Sequence, residues 1–114
     1  MGRMDRPPAT AHEPLWSKWI AQCLGGESEH RFFDGSRADV LADGVVWEVE
    51  WAKKWKEAPG QAILYRVLSR SLEGGVILLT RRKSTEKLYY LRCLLVCEQS
   101  NLLLRTWDTM PGGD

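Results

Sequence analysis

Arg37-Ala38-Asp39-Val40-Leu41-Ala42-Asp43-Gly44-Val45-Val46-Trp47-Glu48-Val49-Glu50-Trp51 is the stretch on which the fold turns. Two strand-like runs, 37–42 and 45–51, flank Asp43-Gly44. Asp-Gly between such runs signals a hairpin, because a tight two-residue turn needs residues that tolerate positive φ. A further run, His30 to Phe33, is closed by Asp34-Gly35, so the segment reads as a three-stranded antiparallel meander. Period two puts Val45, Trp47, Val49 and Trp51 on one face of the third strand and Val46, Glu48 and Glu50 on the other. Counting back through the turn pairs Ala42 with Val45 and brings Asp39 beside Glu48, with Arg37, Asp39 and Leu41 sharing a face. Two carboxylates on one strand face stand ~6 to 7 Å apart. Three on one patch repel unless a cation neutralises them, and Mg²⁺ or Mn²⁺ takes oxygen ligands of this kind. The bland alternative is the solvated polar face of an edge strand, which the bulky apolar neighbours disfavour.

Outward from the meander, the pattern changes to helical spacing on both sides. Leu15, Trp16, Trp19, Ile20, Cys23 and Leu24 recur at three and four from Pro14 until Gly25-Gly26, which predicts a first helix. A second helix is expected from about Ala52 towards Leu72, ending at Gly74-Gly75. Pro59-Gly60 either kinks it or marks its true start. Val76 to Thr80 reads as a strand buried on both faces. A third helix, Glu86 to about Gln99, is capped by Ser84 or Thr85 and turns Leu88, Leu91 and Leu95 inward; a last strand spans Leu102 to Trp107. The expectation is one α/β domain over 14–107, with a frayed arm over 1–13 and a loose tail over 108–114.

Composition narrows the function classes. At 114 residues the chain has room for one core. Sixteen basic residues against fifteen acidic ones exclude a grossly basic binder, so any polyanion surface must come from local segregation of charge. The second half supplies some: Lys53, Lys54, Lys56, Arg66, Arg70, Arg81, Arg82, Lys83 and Lys87 are opposed there by few acids. Arg81-Arg82-Lys83 stands between a strand and a helix, where a phosphate meets cationic side chains and helix amides, unless it is merely a solvated loop. Three cysteines without a CxxC pair, and only two histidines, argue against a disulfide framework or a structural zinc site. No apolar run approaches ~20 residues and the first residues lack a leader-like apolar stretch, so the expected location is cytoplasmic, away from membranes. Of six tryptophans, Trp16, Trp19, Trp47 and Trp51 read as core, while Trp55 or Trp107 is left as a base-stacking candidate.

The order helix, three-strand meander, helix, strand, with Arg37-Ala38-Asp39-Val40 on the second strand and Glu48-Val49-Glu50 on the third, resembles the PD-(D/E)xK nuclease superfamily. Gln61-Ala62-Ile63-Leu64-Tyr65 looks like the Gln-x-x-x-Tyr element of its RecB-like and resolvase-like branches. The resemblance, covering about residues 14–80, implies a three-layer restriction-endonuclease-like core. The implied activity is DNA phosphodiester hydrolysis with Mg²⁺ or Mn²⁺ held by Asp39, Glu48 and the Val49 carbonyl. It also implies a catalytic Lys where this chain has Glu50. Either Lys54, or less favourably Lys53, reaches back from beyond the strand, or Glu50 becomes a further ligand or base. Gln61 would position water or phosphate, and Lys53, Lys56, Tyr65, Arg81, Arg82 and Lys83 would contact nucleic acid. So small a domain would grip DNA as a homodimer or within a larger nuclease complex. The rival expectation is a catalytically inactive module of this fold that binds nucleic acid or a protein.

Overall fold

Asp43 and Gly44 both adopt positive φ, 52° and 75°, the backbone that a tight hairpin turn demands. The turn sets the register of β2 (Arg37–Ala42) on β3 (Val45–Trp51): Ala42 opposes Val45, Leu41 opposes Val46 and Val40 opposes Trp47. The structure, a computed structural model, describes residues 3–70 and 72–111, without the side chain of Lys83. β1 (Glu27–Arg31) pairs antiparallel with β2, starting three residues before the run expected from sequence. β4 (Glu73–Thr80) and β5 (Leu103–Asp108) add in parallel beyond β3, giving a five-stranded mixed sheet in the order β1-β2-β3-β4-β5.

Helices cover both faces. α1 (Glu13–Cys23), with Pro14 in its first turn, lays Trp16, Ile20 and Ala21 on Val40, Ala42, Val45, Trp47, Val49, Ile77 and Leu79. On the opposite face, Ala58 and Ala62 of α2 (Ala58–Ser69) and Cys93 and Cys97 of α3 (Lys83–Gln99) enclose Val76 and Leu78. β4 is thus buried on both sides, as its unbroken apolar run requires.

Three expectations are corrected. The start at Ala52 gives way to two pieces, a 3₁₀ segment, Ala52–Glu57, and then α2, in agreement with the alternative reading in which Pro59 marks the true start of the helix. Gly74 and Gly75 do not stop that helix but belong to β4, where a Cβ on Gly75 would lie 2.5 Å from the Trp47 ring. Leu88, Leu91 and Leu95 do not face inward; they are 54%, 42% and 65% exposed, and Cys93 and Cys97 fill the core instead. α3 is apolar on several sides, so periodicity alone had no unique inner face to select.

The stretch foreseen as a frayed arm is tied to the domain at several points. Met4 exchanges hydrogen bonds with Gln22, the Trp16 indole donates to the Pro8 carbonyl at 3.2 Å, and Arg6 donates to the Asp108 carbonyl at 2.9 Å. At the far end, Thr109 is buried and its hydroxyl donates to the Thr80 carbonyl, while residues 112–114 of the expected tail lie outside the described residues. Among the described residues no helix is long and apolar enough to cross a membrane.

Candidate functional site

The site begins where β2 parts from β3. Their pairing ends at Val40–Trp47, one position before Asp39 and Glu48 would have met. Across from Asp39 on β1, Glu29 takes a positive φ of 55°, an uncommon backbone for a residue with a Cβ. The strand turns over there: Val40 packs on the α1 side, whereas Ala38 packs with Phe32, Val46 and Tyr65 on the α2 side. The simple alternation expected for Arg37, Asp39 and Leu41 therefore breaks at Asp39.

Beyond Trp47, the β2-facing edge of β3 has no strand partner, and carboxylates take its amides. The Val49 N–H donates to Asp39 Oδ2 at 2.8 Å, and the Trp51 N–H donates to Glu50 Oε1 at 2.9 Å. In an extended strand a residue's N–H and C=O point to the same edge. The Val49 carbonyl consequently opens to the same edge, past the end of the β2 pairing.

Asp39 and Glu48 lie close enough for each to shift the other's affinity for a proton. Burial, and then the neighbouring Asp39 charge, push Glu48 up to about 10, so it holds its proton through neutral pH. Asp39 is raised mainly by burial, and the neighbouring Glu48 carboxyl and the hydrogen bond from the Val49 amide offset part of this. Glu48 Oε1 is buried and has no hydrogen-bond partner. A buried carboxyl oxygen left unpaired costs on the order of 1 to 3 kcal/mol, so the pair is arranged at the expense of stability.

Glu13, on which sequence reasoning placed no role, belongs to this cluster. As the first residue of α1 it reaches the same end of the sheet, and burial followed by the Asp39 charge raises it to about 7. The Ser17 hydroxyl, buried one turn along, donates to Glu13 Oε2. The available signal was an acid four residues ahead of a Ser that lies on the helix's inner face.

The other expected residues fall into distinct places. Glu50 is also raised by burial, but the charges acting most on it are Glu57 and Lys54, so it is turned towards the 3₁₀ segment. Lys54 is the lysine acting on Glu50, and Lys53, Lys54 and Lys56 are all exposed. Gln61 is exposed on α2, one turn before Tyr65. Tyr65, foreseen as a nucleic-acid contact, is buried instead, stacked on Phe32 with ring centroids 5.6 Å apart. Its hydroxyl is raised by burial and by the nearby Glu48 and Asp39 charges, so it lies close to that carboxyl pair. Arg81 and Arg82 are exposed, but their backbone amides both donate to Glu86 Oε1, at 2.7 and 2.8 Å. Glu86 thus occupies the amides foreseen as a phosphate cradle. Trp55 and Trp107, the stacking candidates, are half-buried against the two main cores.

Among the described residues no three His, Cys, Asp or Glu side chains converge as a ready cage for a metal ion. Asp39, Glu48 with its unpartnered Oε1, and the Val49 carbonyl nevertheless form an all-oxygen set. That set suits Mg²⁺, which binds through one or two carboxylates and keeps several waters. No protein-family model, no curated protein and no solved structure matches this chain.

Proposed function

We propose that the chain is a metal-dependent nuclease of the PD-(D/E)xK type, built on a restriction-endonuclease-like core and hydrolysing DNA phosphodiester bonds. One observation carries the reading: the buried, unpartnered Glu48 Oε1 beside Asp39, at the point where β2 leaves β3. A buried carboxyl oxygen of this kind is completed by a bound ion or by an ordered water. Asp39, Glu48 and the Val49 carbonyl would hold Mg²⁺ or Mn²⁺, which supplies a Lewis acid and lowers the pKa of bound water.

The chain's own groups divide the remaining work. Glu13 changes protonation near neutral pH and accepts the proton of the attacking water. Lys54 stands in for the missing strand lysine by placing positive charge at the same end of the sheet. Gln61 orients water or phosphate from α2, and Tyr65 closes the buried side of the site near the Glu48 carboxyl. DNA is the partner, and a second copy or another protein extends the grip of so small a domain.

A second reading has its own support. Asp39 and Glu50 satisfy the two strand amides that β2 leaves unpaired, which is a structural duty. On that reading the domain binds nucleic acid or a protein without cleaving. Calorimetry with Mn²⁺ on wild type and Asp39→Ala, together with DNA cleavage in Mg²⁺ and Mn²⁺ by wild type, Glu48→Ala and Lys54→Ala, separates the two. The nuclease reading expects one saturable site lost in Asp39→Ala and cleavage lost in Glu48→Ala. Cleavage indifferent to Glu48→Ala, or absent from the wild type, ends it.

A further inference from the structure

At the same end of the parallel strands β3 and β4 as the carboxylates, the 3₁₀ segment, the β4–α3 loop and the first turns of α3 form a second feature. It is a cleft of about 350 Å³ lined by Lys53, Arg81, Arg82, Thr85, Glu86 and Tyr89. That volume lies within the ~300 to 1,000 Å³ usual for small-ligand clefts. We infer that this cleft takes an unpaired nucleotide of a single-stranded nucleic acid, a few nucleotides along the strand from the one that the acidic site engages; the inference rests on the nucleic-acid reading above.

Three observations support it. First, its cations come from separate elements: Lys53 from the 3₁₀ segment, Arg81 and Arg82 from the loop. Arg81 is held in place, with its guanidinium 3.7 Å from the centroid of the Trp51 ring and its Nε donating to the Ala9 carbonyl at 3.1 Å. Second, the lining includes the aromatic ring of Tyr89, and the Trp51–Arg81 stack stands beside it. Aromatic rings and guanidinium planes within a basic groove are the means by which proteins hold single strands, since every base offers a π face. Bases stacked inside a duplex cannot enter such a cleft. Third, the span is short: Glu48 lies level with Val76, and Arg81 is five residues further along. At ~3.3 Å per residue this is about 16 Å, a distance that a few nucleotides of one strand cover.

Glu86 does not oppose this. Its carboxylate is engaged by the amides of Arg81 and Arg82, so phosphate is met by the Lys53 and Arg82 side chains and not by the helix end.

The test is fluorescence anisotropy at low ionic strength in EDTA, with a short labelled oligothymidylate and a labelled duplex of equal length. Wild type should bind the single strand more tightly, with affinity falling steeply as salt rises. Tyr89→Ala should weaken binding about five-fold or more while Tyr89→Phe retains it. Lys53→Glu with Arg82→Glu should abolish it, with circular dichroism confirming that each variant is folded. Equal or tighter duplex binding, or a folded Tyr89→Ala protein that binds like wild type, overturns the inference. Because no divalent ion is present, this outcome is independent of cleavage. Metal-dependent cleavage without single-strand preference removes the cleft's role alone, and single-strand binding without cleavage removes the catalytic reading alone.

Discussion

Glu48→Gln should make the metal-free protein more stable at alkaline pH. The carboxyl is raised to about 10 in the folded chain from an ordinary 4.5, chiefly by burial and then by Asp39. A group raised in this way contributes stability that is fully present below pH 4.5 and is lost as pH climbs towards the folded value. At pH 8 the folded carboxyl keeps its proton while the unfolded one has released it. The gap of about three and a half pH units, at about 1.4 kcal/mol each, sets a ceiling of about 5 kcal/mol. Water reaching a half-buried site and relaxation of its neighbours reduce this to about 2 kcal/mol. Glutamine keeps the shape of the protonated acid, and its amide can donate to the neighbouring Asp39, but it does not ionise. In a domain of this size the gain corresponds to a midpoint about 8 °C higher at pH 8. At pH 5 the two proteins should melt together. Thermal unfolding in EDTA from pH 5 to pH 9 reads both limbs, and adding Mn²⁺ at pH 8 should raise the wild type without raising Glu48→Gln. A variant that melts at or below the wild type at pH 8, or a difference that persists unchanged at pH 5, would refute the reasoning.

Other outcomes follow from the same geometry. Gly75→Ala drives a methyl to within 2.5 Å of the Trp47 ring and should cost about 1 to 3 kcal/mol in urea unfolding; a neutral result would mean that Trp47 can move. Leu95→Gln, on a residue 65% exposed, should change stability by less than about 0.5 kcal/mol, whereas Cys97→Asp, on a residue 1% exposed, should cost roughly 3 kcal/mol or more. The reverse order would restore the inward-facing leucines expected from sequence. Arg81→Ala loses both the Trp51 stack and the bond to Ala9, so it should lower stability by about 1 to 2 kcal/mol and speed proteolysis within the first ten or so residues. If Glu13 accepts the proton in the nuclease reaction, cleavage should rise as pH passes about 7, and Glu13→Gln should lose that limb. An unchanged pH profile in Glu13→Gln would assign the proton elsewhere.

Much of this was legible from local pattern. Asp43-Gly44 specified the hairpin and its register, because few residues tolerate two consecutive positive φ angles. Alternation along β3 separated Trp47 and Val49 from Glu48, since facing in a strand repeats every two residues. The buried β4 could be read from an unbroken apolar run, and the first helix from its spacing and Pro14. Where several faces of one element are apolar, as in α3, pattern offers no unique answer. The sheet chose Cys93 and Cys97 because they stand over Val76 and Leu78.

The acidic site divides along the same line. That Asp39 comes near Glu48 follows from counting residues across a turn, whereas the end of the pairing one position short of them, and the turning over of β2 there, do not. The arrival of Glu13 from another element, the burial of Tyr65 behind Glu48, and the turning of Glu50 towards Lys54 and Glu57 depend on contacts between segments far apart in sequence. So does the charge state. A sequence lists carboxyls with ordinary affinities for protons, and only burial beside one another raises Glu48 far enough to remain protonated at neutral pH.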